Sequence, residues 1–163
     1  MVLRFSWGMD PLSVTASAIA ILQLTTELLG GTRNYYKSAR NAPKEVAELI
    51  DELTTFGVVL EHLKTTANNA KTTELQQDKA SGSTSSPRSG NSLPMLQKMM
   101  EGGAPLTICY DEMMAFKTRL TKNQSRVKKS LKWPFQKDEV QTVVYRLRNL
   151  KSILDTAISS DQL

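Results

Sequence analysis

The sequence predicts an all-α protein, a helical bundle of four main helices plus short helical pieces, with a long flexible loop rich in serine, glycine and proline. In three segments, apolar residues recur at an alternating spacing of three and four, which places them on one helix face packed along a neighbour. A fourth segment near the N-terminus is almost entirely uncharged. No stretch shows the period-two alternation expected of a half-buried strand. The 163 residues suit one domain with its own core.

The first helix is predicted to begin at Pro11, where proline fits the first turn, with Asp10 as its cap. Gly30 and Gly31 are predicted to end it, because glycine adopts the left-handed conformation of a helix stop. Such a helix would be about 28 Å long at roughly 1.5 Å per residue, close to the roughly 30 Å hydrocarbon core of a bilayer. No charged residue lies between Asp10 and Glu27. Both a buried core helix and a helix that leaves the core for a membrane fit this composition.

The three amphipathic helices follow in order, after a short helical piece, TRNYYKSAR. The second begins near Pro43, and acidic residues favour its positive end. The last is predicted to run from about residue 139 to 158, with Asp138 as its cap. The predicted core positions of the three helices are Val46, Leu49, Leu53, Phe56, Leu60, Leu63, Ala67 and Ala70; Leu106, Cys109, Met113, Phe116 and Leu120; and Val140, Val143, Leu147, Leu150, Leu154 and Ala157.

Residues 78–94 lack the apolar side chains needed to offset the entropy of ordering, so they are predicted to be a disordered internal loop, open to phosphorylation. The predicted organisation is a frayed N-terminal extension at 1–8, a bundle at 9–158 and a C-terminal tail at 159–163. After the loop, PMLQKMMEGG is predicted to add a turn or two of helix.

The segment WPF introduces the last helix. Pro134 favours an extended conformation at Trp133, and Trp133 and Phe135 are predicted to plug one end of the bundle. A lipid-facing role for Trp133, beside Lys132 at a membrane interface, is the alternative.

The positive charge is concentrated in one part of the chain. The formal net charge is +5, and residues 113–137 carry eight basic residues with no acidic residue among them. Such a cluster indicates an anionic partner, which could be a lipid surface, nucleic acid or an acidic protein face. A solvated helix end and loop is the alternative. Nucleic-acid binding is the weakest of these because no aromatic platform or recognised motif accompanies the charge.

Residues for catalysis or cofactor binding do not assemble in this sequence. The Gly-Gly pairs lack the lysine of a phosphate-binding loop, and His62 is the single histidine. Cys109 lies on a core seam, where an inert thiol is expected. Acidic pairs such as Asp51–Glu52 and Asp111–Glu112 are interpreted as solvated faces. The sequence therefore predicts a non-enzymatic protein with no catalytic residue, no cofactor and no metal, and with no small-molecule substrate or specific nucleic acid as partner.

Three segments, MDPLSVTASAIAILQLTTELL, YYKSARNAPKEVAELIDELTTFGVVLEHL and LKWPFQKDEVQTVVYRLRNLKSIL, together resemble the HeLo-like N-terminal domain of fungal STAND (NLR-like) proteins. This domain type is also called the azaphilone pigments biosynthesis cluster protein L N-terminal domain. The resemblance covers residues 9–158. It implies an all-helical effector domain whose oligomerisation releases the N-terminal helix into a membrane, which kills the cell. The implied partners are further copies of the chain or a related STAND receptor, together with an anionic membrane surface.

The resemblance and the charge pattern together define the candidate site residues. The membrane-insertion helix comprises Leu12, Val14, Ala16, Ile19, Ala20, Ile21, Leu22, Leu24, Glu27 and Leu28. The anionic-lipid patch comprises Lys117, Arg119, Lys122, Arg126, Lys128, Lys129 and Lys132. Small residues four apart, Ala16 with Ala20 and Ser13 with Ser17, would let inserted helices pack closely.

Two functions stay open at this point. The first is a membrane-targeting, oligomerising effector domain that is cytoplasmic and relocates to the plasma membrane on activation. The alternative is a soluble helical adaptor, in which the first helix is permanent core and the bundle binds a like domain or a receptor without membrane insertion.

Overall fold

The computed structural model describes residues 11–39, 42–77, 95, 98, 105–126 and 133–161. These residues form four long α-helices and no strand, which confirms the all-α helical fold. The helices are α1 (Pro11–Ser38), α2 (Lys44–Gln77), α3 (Pro105–Arg126) and α4 (Lys137–Asp161). The predicted extension at 1–8 and the predicted loop at 78–94 lie outside the described residues, so both stay predictions.

The four helices form a ring in which α1 packs on α2 and α3, and α4 packs on α2 and α3. Helices α2 and α4 are parallel, because Glu45 pairs with Lys137 and, further along both helices, Glu52 pairs with Lys151. Helices α3 and α4 are antiparallel, as two ion pairs show: Glu112 with Arg146, and Glu139 with Arg119.

The predicted seams of α2, α3 and α4 form one continuous core. Phe56, Leu60 and Leu63 are fully buried at its centre, and every predicted core position of α3 is buried. The prediction for α4 was wrong at one position: Val144 is buried, whereas the predicted core residue Val143 is only partly buried against the core. The side chain of Ala70 lies outside the described part. The spacing of three and four was therefore a sound guide to the buried face of each amphipathic helix.

The predicted end of the first helix was also wrong. Helix α1 continues through Gly30 and Gly31 as far as Ser38 and absorbs the predicted short piece. Its buried seam keeps the spacing of three and four across the glycines, with Ala18, Ile21, Thr25, Leu28, Thr32 and Tyr35 all buried. A glycine inside a helix costs roughly 1 kcal/mol relative to alanine, whereas burying a large apolar side chain gains about 1.5–3 kcal/mol. Tertiary packing beyond the glycines therefore keeps the helix intact.

The start of α4 differs from the prediction as well. Asp138 does not cap the helix, because α4 already begins at Lys137. The residue at the cap position is Gln136, whose carbonyl accepts a hydrogen bond from the N–H of Val140 at 3.2 Å. The Gln136 N–H donates to the Glu139 carboxylate at 2.9 Å. This is the reciprocal half of a capping box, in which the third helical residue reaches back to the cap.

Candidate functional site

The structure divides the predicted insertion residues of α1 between the core and the surface. Ile21, Leu24 and Leu28 are buried and pack in the central cluster. Four other predicted insertion residues lie nearer the surface of the bundle: Ala16 and Ile19 are exposed, and Ala20 and Leu22 are partly buried. The side chains of Leu12 and Val14 lie outside the described part. The outer face of α1 therefore offers Ile19, 38% exposed, to solvent, while its inner face holds the bundle together.

The small-residue pairs fall on different sides of α1. Ala16 and Ala20 lie towards the outside, whereas Ser17 is buried at 5% exposure. The side chain of Ser13 is not among those described. In the bundle, only the alanine pair is therefore available for close packing against another helix.

Glu27 forms the ion pair that ties α1 to α3. Its carboxylate is exposed and contacts the Nζ of Lys117. The pair lines an open cleft of about 400 Å³ between the two helices, together with Leu28, Gly31 and Leu120 among others. The first charged residue after the uncharged part of α1 thus pairs with a cation of the predicted lipid patch.

Hydroxyl groups occupy several inner positions of α1. Ser17, Thr25 and Thr32 are buried. The Thr25 hydroxyl donates to the carbonyl of Ile21 at 2.8 Å, and the exposed Thr26 hydroxyl donates to the carbonyl of Leu22 at 2.9 Å. Both hydrogen bonds lie within α1, so they do not depend on its contacts with the other helices. The Thr32 hydroxyl has no hydrogen-bond partner among the described residues.

Two members of the predicted lipid patch form ion pairs with neighbouring helices at the surface of the bundle. Lys117 pairs with Glu27, and Arg119 donates to both carboxylate oxygens of Glu139 at 2.8 and 3.3 Å. Arg119 also donates to the carbonyl of Pro134 at 3.1 Å and lies over the Phe135 ring at 4.6 Å. The hydrogen bond with Glu139 is the main reason that the pKa of Arg119 is raised.

Of the remaining residues of the predicted lipid patch, the structure describes the side chain of Lys122. Lys122 is exposed on α3 and has an interaction of its own within the protein. Arg126 ends α3, but its side chain lies outside the described part. Lys128, Lys129 and Lys132 lie outside the described residues. The sequence could not predict the pairing of Lys117 and Arg119, because their carboxylates come from α1 and α4.

Trp133 and Phe135, which were predicted to plug one end of the bundle, pack there with two further aromatic rings, those of Phe116 and Tyr35. Phe116 and Phe135 are stacked with centroids 3.7 Å apart, and Trp133 contacts Phe135 edge-on at 5.1 Å. Trp133 also lies 4.7 Å from the ring of Tyr35. Burial raises the pKa of Tyr35, opposed by a hydrogen bond to the backbone of Trp133. In the bundle, Trp133 is therefore partly buried and packs against the core.

The interpretation of Asp51–Glu52 as a solvated pair was wrong for Glu52. Glu52 accepts hydrogen bonds from Arg148 at 2.7 Å and from Lys151 at 2.5 Å. Arg148 also bonds Glu48 at 2.8 Å. The sequence contained a signal for this contact. Glu48 and Glu52 lie four residues apart on α2, and Arg148 and Lys151 lie three residues apart on α4. Only the packing of α2 against α4 brings the two pairs together.

Cys109 and His62 show no reactive environment. Cys109 is buried, and desolvation raises the pKa of its thiol to about 12, so the thiolate is scarce near neutral pH. His62 lies on the exposed side of α2. Within the described residues, no three side chains of His, Cys, Asp or Glu lie close enough to hold a metal ion.

No protein-family model matches the chain, and neither the curated proteins nor the solved structures include one that matches it. Across the described residues, no helix combines the length and the apolar character required to cross a membrane.

Proposed function

We propose that this bundle is a membrane-targeting, oligomerising effector domain of fungal STAND/NLR-type programmed cell death or heterokaryon incompatibility signalling. In this proposal the protein is cytoplasmic and relocates to the plasma membrane on activation, where α1 leaves the bundle and enters lipid. The proposal rests first on the sequence resemblance described above.

The observation that carries the proposal is the character of α1. From Pro11 to Thr26 it has no charged residue, and the hydroxyls of Thr25 and Thr26 bond to carbonyls of the same helix. A helix that enters lipid must satisfy its polar groups internally, because the hydrocarbon offers no water. Transfer of this half of α1 from core to lipid therefore leaves those two hydroxyl bonds intact.

The tie between Glu27 and Lys117 gives lipid a route to influence α1. An anionic headgroup at the surface attracts a nearby lysine by roughly 1 kcal/mol, and an exposed ion pair contributes only about 0–1 kcal/mol. A headgroup that binds Lys117 therefore competes with Glu27 on nearly equal terms. Loss of the pair removes one link between α1 and α3.

The first test measures leakage from vesicles containing phosphatidylserine. Ile19→Asp places a charge on an exposed position of α1, so the fold survives, but insertion costs about 2.5–3.5 kcal/mol more at mid-bilayer. We expect Ile19→Asp to abolish leakage. The matched control is Val58→Asp, which places a charge on α2 at a position that is 66% exposed. This variant should cause the same vesicle leakage as the unmodified protein. If the unmodified protein leaves the vesicles sealed, the proposal fails.

A second test locks α1 in place. A Cβ built on Gly57 of α2 would lie 4.0 Å from the Cγ2 of Thr25, so position 57 of α2 faces position 25 of α1 across the helix contact. The double variant Thr25→Cys with Gly57→Cys should cross-link α1 to α2 under oxidation. We expect the oxidised form to be inactive on vesicles and the reduced form to regain leakage. Equal leakage in both forms would show that α1 need not leave the core.

The soluble adaptor is the second candidate, and one observation favours it. Ala18, Ile21, Leu24 and Leu28 pack in the central cluster, as expected of a permanent core helix. Hydrogen exchange discriminates between the two. An adaptor keeps α1 amides protected with and without anionic vesicles, whereas the effector shows their exchange changed when vesicles are added.

A further inference from the structure

We propose that the outward-facing ridge of α4 is the surface through which two copies of this chain pair, antiparallel, about a twofold axis at Asn149. The ridge consists of five exposed residues: Thr142, Tyr145, Asn149, Ile153 and Thr156. It lies opposite the buried seam of α4 and extends about 21 Å, at 1.5 Å per residue. This proposal does not depend on membrane action.

The ridge has two large apolar side chains in solvent. Tyr145 is 65% exposed and Ile153 is 43% exposed. They are eight residues apart, so they project on nearly the same face of α4 with Asn149 between them. Burial of such side chains is the principal driving force of association.

No charge lies on the ridge, although arginines flank it on both sides. Arg146 pairs with Glu112 of α3, and Arg148 pairs with Glu48 and Glu52 of α2. Each arginine is therefore drawn towards a neighbouring helix and is neutralised there. Two copies with a formal net charge of +5 each repel one another in general. The ridge lets them meet without placing like charges in contact.

The hydroxyls at the two ends of the ridge are already satisfied. Thr142 donates to the carbonyl of Asp138 at 2.8 Å, and Thr156 donates to the carbonyl of Ser152 at 2.9 Å. Both threonines can therefore be covered without leaving a hydroxyl unpaired, which is the main cost of burying such groups. Their methyl groups then add apolar area to the contact.

The order of side chains along the ridge reads the same from either end. Starting from either threonine, a large apolar residue follows after three positions, Asn149 after four more, and the second half repeats the series in reverse. A twofold interface requires such self-complementarity, because residue i meets j while j meets i. An antiparallel pair centred on Asn149 places Tyr145 against Ile153 of the second copy, twice. The two Asn149 amides meet at the axis, where a buried asparagine pair can fix the register.

This symmetry selects a second copy over an unrelated helix as the occupant. The exposed Val58 of α2 lacks such a ridge, because Thr54, Glu61 and Thr65 neighbour it on its helix face. One helix pair buries less than the roughly 1,600 Å² of a standard interface. The dimer is therefore weak, and its dissociation constant is expected to be on the order of micromolar.

Sedimentation velocity over a wide range of concentration tests the pairing. We expect the unmodified protein to shift from monomer to dimer, and Tyr145→Arg or Ile153→Arg to stay monomeric, with unchanged helical circular dichroism. Val58→Arg, a charge at an equally exposed apolar position on α2, should dimerise normally. A monomer at every concentration, or equal dimerisation of all four proteins, overturns the proposal.

Cysteine cross-linking tests the register. Asn149→Cys should form a disulfide dimer rapidly under mild oxidation, because the axis brings position 149 of both copies together. Tyr145→Cys alone should not, whereas a mixture of Tyr145→Cys and Ile153→Cys should give the heterodimer. Cys109 contributes no background because it is buried. If Asn149→Cys cross-links no faster than Val58→Cys, the proposed axis is wrong.

Discussion

At the scale of single residues, the threonines of α1 show how the same side chain can be neutral or costly in a core. Thr25 and Thr32 are both buried. Thr25 bonds the carbonyl one turn back, whereas the Thr32 hydroxyl has no hydrogen-bond partner within the described part of the chain. A buried hydroxyl without a partner costs about 1–3 kcal/mol. Thr32 is therefore a position where the core is less stable than its packing alone would make it.

Thr32→Val should stabilise the bundle, because valine keeps the shape of threonine and removes the unpaired hydroxyl. We expect the free energy of unfolding to rise by about 1 kcal/mol, measured by urea denaturation. Thr25→Val is the matched control: its hydroxyl is already bonded, so the change should be zero or a small loss. If Thr32→Val were less stable than the unmodified protein, the Thr32 hydroxyl must have a partner.

At the scale of elements, α1 and α4 show where local sequence rules give way. A Gly-Gly pair ordinarily signals a helix end, yet α1 passes through Gly30 and Gly31 because Thr32 and Tyr35 continue its buried seam. The prediction of a cap at Asp138 also used local sequence alone. The cap lies two residues earlier, at Gln136, whose N–H donates to the Glu139 carboxylate.

Gly30→Ala tests the continuity of α1. Gly30 is exposed, and a Cβ built there meets nothing within 4 Å. Alanine should therefore raise the free energy of unfolding by roughly 0.5–1 kcal/mol, because glycine loses more backbone entropy in a helix. Thermal denaturation followed by circular dichroism measures the change. A marked loss of stability would contradict a continuous α1, since alanine is strained only where a helix ends in the left-handed conformation.

The contact between α2 and α4 predicts how stability depends on pH. Hydrogen bonds from Gln141 and Arg148 lower the pKa of Glu48. Burial acts to raise the pKa of Glu52, but hydrogen bonds from Lys151 and Arg148 outweigh it, so this pKa is lowered too. A carboxyl group whose pKa is lower in the folded state binds fewer protons there than in the unfolded chain. Its stabilising contribution is therefore complete above the ordinary pKa of 4.5 and is lost as the pH falls through the lowered value.

Glu52→Gln should make stability less sensitive to pH below about 5. We expect the unmodified protein to lose stability steeply between about pH 5 and 3 and the variant to lose less over the same interval. Urea unfolding at a series of pH values gives both curves. Glu61→Gln is the control, because Glu61 is 55% exposed and, among the described residues, its carboxylate pairs with Lys64 of its own helix. Parallel curves for the unmodified protein and Glu52→Gln would exclude this ion-pair network as a source of acid sensitivity.

At the scale of the whole molecule, the sequence predicted what depends on periodicity and missed what depends on register between helices. The buried faces of α2, α3 and α4 followed from spacing, because a helix fixes which residues share a side. The partners of Lys117 and Arg119 did not follow, because Glu27 and Glu139 belong to other helices. The buried face of α1 keeps the same spacing of three and four. It was not predicted because Thr25 and Thr32 occupy two of its positions, so the sequence shows no continuous apolar stripe there.

The clefts around α3 predict an order in which the bundle opens. One open cleft of about 400 Å³ lies between α3 and α1, and another of about 340 Å³, lined by Ala115 and Val143 among others, lies between α3 and α4. Side chains of α3 that line these open clefts meet solvent in place of the close protein contacts that stabilise a packed helix, whereas α2 packs closely against both α1 and α4.

Amide hydrogen exchange at low denaturant should therefore show α3 opening before the other helices, with a lower free energy of opening than global unfolding. Mass spectrometry of peptic peptides resolves the four helices. Ala115→Leu adds apolar volume to the cleft beside α4 and should slow exchange in α3 while leaving the core amides of α2 unchanged. An exposed substitution on α2, Val58→Leu, is the control and should not alter α3. If all four helices exchange together, the bundle opens as one cooperative unit and the clefts carry no energetic penalty.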